Sequence, residues 1–361
     1  MPATTEQITD ALRQVQDPDL HRDLVTLGMV KDIAIEAGLV RVHVELTTPA
    51  CPMKEKIEAD VRAAVLAVAG VDDVEVKMTA NVKASPQQQA QQDNPLPGVK
   101  NIIAVGAGKG GVGKSTVAVN LAVALAREGA AVGLLDGDIY GPSLPTLLDL
   151  DHIAPRTTQG NMIVPFEVHG ILAMTIGKLV ESEKPLIWRG PMAHGAFRQL
   201  TTQTQWGELD YLIIDLPPGT GDVPLTMSQL LPLTGAVVVC TPQKVAQDDA
   251  RRAVRMFEQL DIDVLGIVEN MSYFIGDDGK EYDIFGRGGA EAMAASMGVH
   301  FLGSVAISMA LRANCDAGEP LKNFEAGGQL ADELTQLARN VAAQVSIAAA
   351  SAGGAPTLSI T

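Results

Sequence analysis

Cysteine is scarce: three residues, Cys51, Cys240 and Cys315, lie far apart in a chain of 361. That excludes a disulfide framework and any spaced zinc motif, and points to a reducing, cytoplasmic setting. Aromatics make up only 4 % of the chain, so a core must come from Ala, Val, Leu and Ile within the 47 % that is apolar. Positive charge is in deficit. A net charge of -16 argues against a nucleic-acid partner, which needs a basic surface, and against docking on an acidic membrane. No apolar run is long enough to span a bilayer. The first residues lack the basic end and apolar stretch of a signal peptide, and the histidines show no metal-ligand spacing.

The length suggests two domains. The stretch "ASPQQQAQQDNPLPG", residues 84–98, has no apolar period and reads as a flexible linker. It separates a small domain, 1–83, from a large one, 99–347, and a disordered tail is expected over 348–361. In the small domain Ile8, Leu12 and Val15 keep helical spacing. Residues 29–46 read as two strands around a turn at Ala37 and Gly38, 53–70 as a helix stopping at Gly70, and 71–79 as a last strand. In the large domain, short apolar runs alternate with helical patterns, and several runs are apolar on both faces. Parallel strands covered by helices have that signature. The expected class is α/β throughout.

The chemistry starts at "GKGGVGKS", Gly108 to Ser115, which fits the G-x-x-x-x-G-K-[ST] phosphate loop between a strand and a helix. Without Cβ atoms at Gly108, Gly110, Gly111 and Gly113, the backbone N–H groups can turn inward around a phosphate. Val112 and Thr116 complete the loop. Lys114 is expected to reach the β- and γ-phosphates and the Ser115 hydroxyl to serve Mg²⁺. Asp215 ends the apolar run "YLIID" and suits a carboxylate acting on Mg²⁺. Asp136 and Asp138 end another run: Asp136 would brace the metal shell and Asp138 would position the attacking water. The alternative for both is a solvated Asp-Gly turn. Lys109 is a second lysine that a phosphate loop does not need. A charge near a phosphate is worth about 1 kcal/mol in water but about 4 kcal/mol at an effective dielectric near 20. Lys109 therefore matters only where something excludes water. A second subunit closing over the loop would do so, making Lys109 work like an arginine finger in trans; otherwise it is simply solvated.

"KGGVGKST" resembles the deviant phosphate loop of the MinD/ParA/nitrogenase-iron-protein class. That resemblance implies a nucleotide-dependent homodimer in which Lys109 contacts the partner's nucleotide. "DGDIYGPSLP", "WRGPM", "WGELDYLIIDLPPGTGD", "ENMSYF" and "YDIFGRGG" make the region from about 99 to about 345 similar to the Mrp/ApbC-type iron–sulfur cluster carrier ATPases. The N-terminal module, with "DPDL" and "TTPACP", resembles the small domain of iron–sulfur assembly factors. The resemblance implies ATP binding and hydrolysis with Mg²⁺, and transfer of iron–sulfur clusters between assembly scaffolds and apo client proteins. It also places Asn270 at the adenine base; the residues alone show an amide at a strand end, equally a turn former.

One departure concerns the cluster. Many members carry a C-P-x-C motif just after "MSYF", and residues 274–286 contain no cysteine. Clusters are held mainly by thiolates. Cys240 ends an apolar strand run and reads as buried, and Cys315 has acidic neighbours. Cys51 lies between Pro49 and Pro52, near a helix start, where a thiol pKa can fall. It is the candidate cluster ligand, with a quiet capping cysteine as the alternative. Two rival functions remain: a MinD/ParA-like positioning or partition ATPase, and a nucleotide-switched adaptor without direct cluster binding.

Overall fold

The computed structural model describes residues 3–90, 94–179, 190–219, 221–276 and 278–351. The chain divides into two compact units, with breaks between Lys83 and Ala84 and between Val345 and Ser346.

In the small unit, strands β1 (Val30–Glu36) and β2 (Leu39–Leu46) form an antiparallel hairpin, and β3 (Asp73–Ala80) pairs parallel to β2. Ala37 and Gly38 both take positive φ, 46° and 90°, the backbone that a tight two-residue hairpin demands. Period two along β2 puts Val40, Val42, Val44 and Leu46 on one buried face. They share a core with Ile8 and Leu12 of helix α1 (Thr5–Leu12) and with Ile57, Val61 and Val65 of α2 (Lys54–Leu66). A capping box between Thr4 and Gln7 starts α1. Helix α2 stops four residues short of Gly70.

The stretch expected as an open linker is partly ordered. Pro86–Ala90 forms a short helix, and Ser85 and Gln88 are buried; Asn94 donates to the Gln88 carbonyl. Residues 91–93 lie outside the described residues. Likewise helix Gln329–Ser351 runs through 348–351, which had been expected in the tail; residues 352–361 lie outside the described residues.

Among the described residues, the large unit is built on a nine-stranded sheet. Its strands are β4 (Val99–Gly106), β5 (Val132–Asp136), β6 (Phe166–Val168), β7 (Ile171–Met174), β8 (Leu209–Asp215), β9 (Gly235–Cys240), β10 (Val264–Ile275), β11 (Glu281–Tyr282) and β12 (Phe301–Ile307). The order is β6-β7-β5-β8-β4-β9-β10, with β11 and β12 both paired to β10. Every pairing is parallel except β6 with β7 and β10 with β11. Strands β5 and β9 are buried along their whole length, as parallel strands covered on both faces must be. The parallel arrangement brings the carboxyl ends of β4, β5, β8 and β9 to one edge, where open α/β sheets bind ligands.

Helix Lys244–Gln259 is amphipathic. Ala246, Ala250, Ala253, Val254 and Phe257 are buried, so its inner face is core.

Candidate nucleotide site

The phosphate loop leaves β4 at Gly106 and enters helix Lys114–Arg127. Gly111 and Gly113 hold φ of 82° and 81°, with Gly113 as the helix N-cap. Close approach explains two more glycines. A Cβ on Gly106 would stand 2.9 Å from the Phe257 ring, and one on Gly108 would overlap the Asp249 and Ala250 backbone. Helix Lys244–Gln259 therefore walls one side of the loop. The first amides of the 14-residue helix that follows point where an anion would sit. Residues Val117–Leu125, apolar except for Asn120, are buried nearly all round and fix its position under the sheet edge.

Lys114 is 7 % exposed and pairs with the fully buried Asp215, and its ammonium also lies 3.1 Å from the Ser115 hydroxyl. Burial pushes the Asp215 carboxyl up, against the pull of Lys114. Asp215 uses Oδ1 on Lys114, whereas its buried Oδ2 has no hydrogen-bond partner among the described residues. A buried carboxylate oxygen without a partner is costly. It fits a cation: Ser115 and Asp215 form a hard-oxygen donor set of the kind Mg²⁺ takes, beside a phosphate loop. Beyond Asp215 the chain is zipped to the loop, Leu216 donating to Val105 (3.0 Å) and Gly219 to Ala107 (2.9 Å).

Asp136 and Asp138 separate into two roles. Asp136 is the cross-strand neighbour of Asp215 in the β5–β8 register. It is fully buried. Its carboxylate accepts from the amides of Asp138, Ser143 and Leu144 and from the Thr175 hydroxyl, at 3.1–3.2 Å. Burial, with the Asp215 charge next, lifts its pKa to about 7. With four donors on it, Asp136 braces the turn that carries Asp138. Three of these donors reach Oδ2 and one reaches Oδ1, and its burial excludes a solvated turn. Asp138 is half-exposed and lines a cleft of about 520 Å³ with Tyr140, His194, Pro217 and Pro218. Its Oδ1 accepts from Gly141 at 3.2 Å. Lys109 is half-buried next to the exposed Gly110 and Gly111, and Gly110 faces Pro218.

Asn270 is not in a turn. It lies inside β10, is 4 % exposed, and its Nδ2 donates to the Val112 carbonyl of the phosphate loop at 2.8 Å. A Cβ on Gly113 would overlap that amide. Glu269, next to it, is fully buried and faces away from the loop, toward Gly288 and Ala290; pattern reading missed it. A lone acid within the apolar run "VLGIVEN" was the signal available.

The three thiols are all buried and none is in a disulfide. Burial, with the Glu269 charge added, pushes Cys240 up to about 12, and burial also raises Cys315. Cys51 is 9 % exposed and belongs to the small-unit core, three residues before α2 begins. Among the described residues, no group of three or more His, Cys, Asp or Glu is arranged to hold a metal ion. No described helix is long and apolar enough to cross a membrane.

Residues 98–342 match the family of the NUBPL iron-transfer P-loop NTPase, and residues 5–78 match the iron–sulfur cluster assembly protein family. An iron–sulfur cluster carrier protein of Synechocystis is 50 % identical over 352 residues, covering 96 % of this chain and 99 % of that protein. The carrier of Deinococcus radiodurans is 47 % identical, covering 93 % and 94 %. Among solved structures, a nucleotide-binding protein of Archaeoglobus fulgidus in complex with ADP is 38 % identical over 65 % of this chain and 92 % of that one, with a TM-score of 0.57. MinD of Pyrococcus horikoshii, at 21 % identity and a TM-score of 0.51 over 66 % of this chain and 94 % of that one, shares the fold. The chain belongs to the Mrp/ApbC-type iron–sulfur cluster carriers, ATP-hydrolysing P-loop proteins with a MinD/ParA-like fold and an N-terminal iron–sulfur assembly domain.

Proposed function

We propose that this protein acts as a homodimer whose ATP cycle governs the hand-over of iron–sulfur clusters to apo-proteins. The observation that carries the nucleotide half is the buried Lys114–Asp215 pair at the mouth of a complete phosphate loop, with Asp215 Oδ2 left unpartnered. Lys114 and the amides from Gly108 to Thr116 hold the phosphates. Ser115 and Asp215 would hold Mg²⁺, which neutralises phosphate charge when bound. Asp138, carried by the Asp136-braced turn, orients water at the cleft; Asn270 fixes the loop beside the base. Lys109 reaches the partner's nucleotide once the second subunit excludes water.

The cluster is cargo. One chain presents too few thiols for about four cluster ligands, so the rest come from a second copy, a small thiol or the client. Cys51 is the thiol we assign to the cargo, because it lies just ahead of α2 and is the least buried of the three, 9 % exposed against 1 % for Cys240 and 3 % for Cys315. A cluster held so incompletely passes on readily. The test is anaerobic transfer from the loaded protein to an apo-ferredoxin, followed by absorbance with and without ATP. Transfer that responds to nucleotide is the expected result; no transfer under any condition overturns the carrier reading.

A further inference from the structure

Strand β10 departs from regularity beside the phosphate loop. Its register with β12 shifts between Asn270 and Phe274, and Met271 takes φ of 56°. A left-handed, non-glycine residue inside a strand costs free energy and is kept where surrounding contacts demand it. The contacts here run in two directions. Toward the nucleotide, Asn270 Nδ2 donates to the Val112 carbonyl at 2.8 Å. Away from it, the buried Glu269 carboxylate accepts from the Gly288 amide at 2.9 Å and the Ala290 amide at 2.7 Å, and from the Ser272 hydroxyl. Gly288 and Ala290 open helix Gly289–Met297, whose N-terminus welcomes an anion. Just before them, Arg287 pairs with Glu281 and stacks 4.1 Å over the Tyr273 ring. The return segment of the hairpin is thus tied back onto β10 at both ends.

We infer that Glu269 is a positioning residue that joins the phosphate loop to the 281–290 segment, so that nucleotide held in the loop is felt at the Gly288 and Ala290 amides. Two adjacent side chains on one irregular strand make the connection: Asn270 grips the loop and Glu269 grips the segment. A buried charge serving two backbone amides holds its geometry tightly. Any shift of Val112 on phosphate binding moves Asn270, and the shared backbone carries that shift to Glu269 beside it. The inference rests on the nucleotide reading of the loop.

The test is hydrogen exchange of the full-length protein with and without saturating ADP, read at peptides spanning 281–290, with ADP affinity titrated separately. In the wild type, ADP slows exchange of the Gly288 and Ala290 amides by about five-fold or more, the low end of ordinary coupling. Glu269→Gln keeps ADP affinity within about three-fold, as the loop contact is intact, but loses the slowing. Asn270→Ala, assayed at saturation, loses it from the other end and serves if Glu269→Gln does not fold. A residue that merely caps a helix changes exchange equally with and without ADP. Wild type that binds ADP with no change at 281–290 overturns the inference alone, as does a Glu269→Gln variant that keeps the full ADP effect. Wild type that binds no ADP overturns the nucleotide reading as well.

Discussion

Lys114 and Asp215 form an ion pair that is almost wholly out of water, at 7 % and 0 % exposure. Removing one partner strands the other. Lys114→Ala therefore acts twice: it removes the main counter-charge for phosphate, and it leaves a buried carboxylate alone, at about 3–5 kcal/mol of stability. The expected outcome is loss of binding of a fluorescent ATP analogue together with a lower melting temperature. Adding Asp215→Asn to that variant restores most of the melting temperature but not the affinity. Recovery of both would mean that Lys114 is structural only.

Lys109→Ala separates binding from turnover. The loop amides and Lys114 remain, so affinity for the analogue stays within a few-fold, whereas hydrolysis falls steeply because the charge is needed only across the closed dimer. Light scattering with a non-hydrolysable analogue gives the mass of the closed species. Wild-type turnover in the variant would remove the trans-lysine assignment.

The Asp136 and Asp138 pair makes a similar division. Asp138→Ala slows turnover roughly 100-fold or more, in the range for a group that handles the reacting water, with the melting temperature kept. Asp136→Asn turns one acceptor into a donor facing amide donors, and destabilises by about 1–3 kcal/mol, with turnover lost through the displaced turn. Calorimetry and a phosphate-release assay on both variants check this. A stable Asp136→Asn protein with normal turnover contradicts the bracing role.

The difference between those two aspartates was not legible in the sequence. Asp136 and Asp138 are two positions apart and share one motif, but the donors that commit Asp136 come from Ser143, Leu144 and Thr175, the last 39 positions away. The parallel strands and the phosphate loop were legible because their signals are short-range: apolar runs and glycine spacing. The grip of Asn270 on Val112 crosses 158 positions, and no local pattern encodes it. The inner face of helix Lys244–Gln259 is mostly alanine, a weak apolar stripe that the Gly106 and Gly108 contacts make essential.

The thiols supply the last prediction. Burial pushes Cys240 up to about 12, so it stays protonated at pH 8; the thiolate is the form that reacts and binds metal. Cys315 is raised in the same sense by its burial. Alkylation of the native protein at pH 8 should therefore mark Cys51 well before the other two, and raising the pH through 9 and 10 should speed Cys240 about ten-fold per unit while the fold persists. The same order governs cargo. Anaerobic reconstitution with iron and sulfide should give weak, oxygen-sensitive cluster absorbance in wild type, none in Cys51→Ala, and wild-type absorbance in Cys240→Ala. Cys51 belongs to the small-unit core at 9 % exposure, so loading requires a local opening of the turn ahead of α2, and mild urea below the unfolding transition should accelerate it. Iron uptake by Cys51→Ala equal to wild type would move the cargo site off this thiol, and absence of uptake in every variant would leave a nucleotide-switched dimer that assists transfer without holding the cluster.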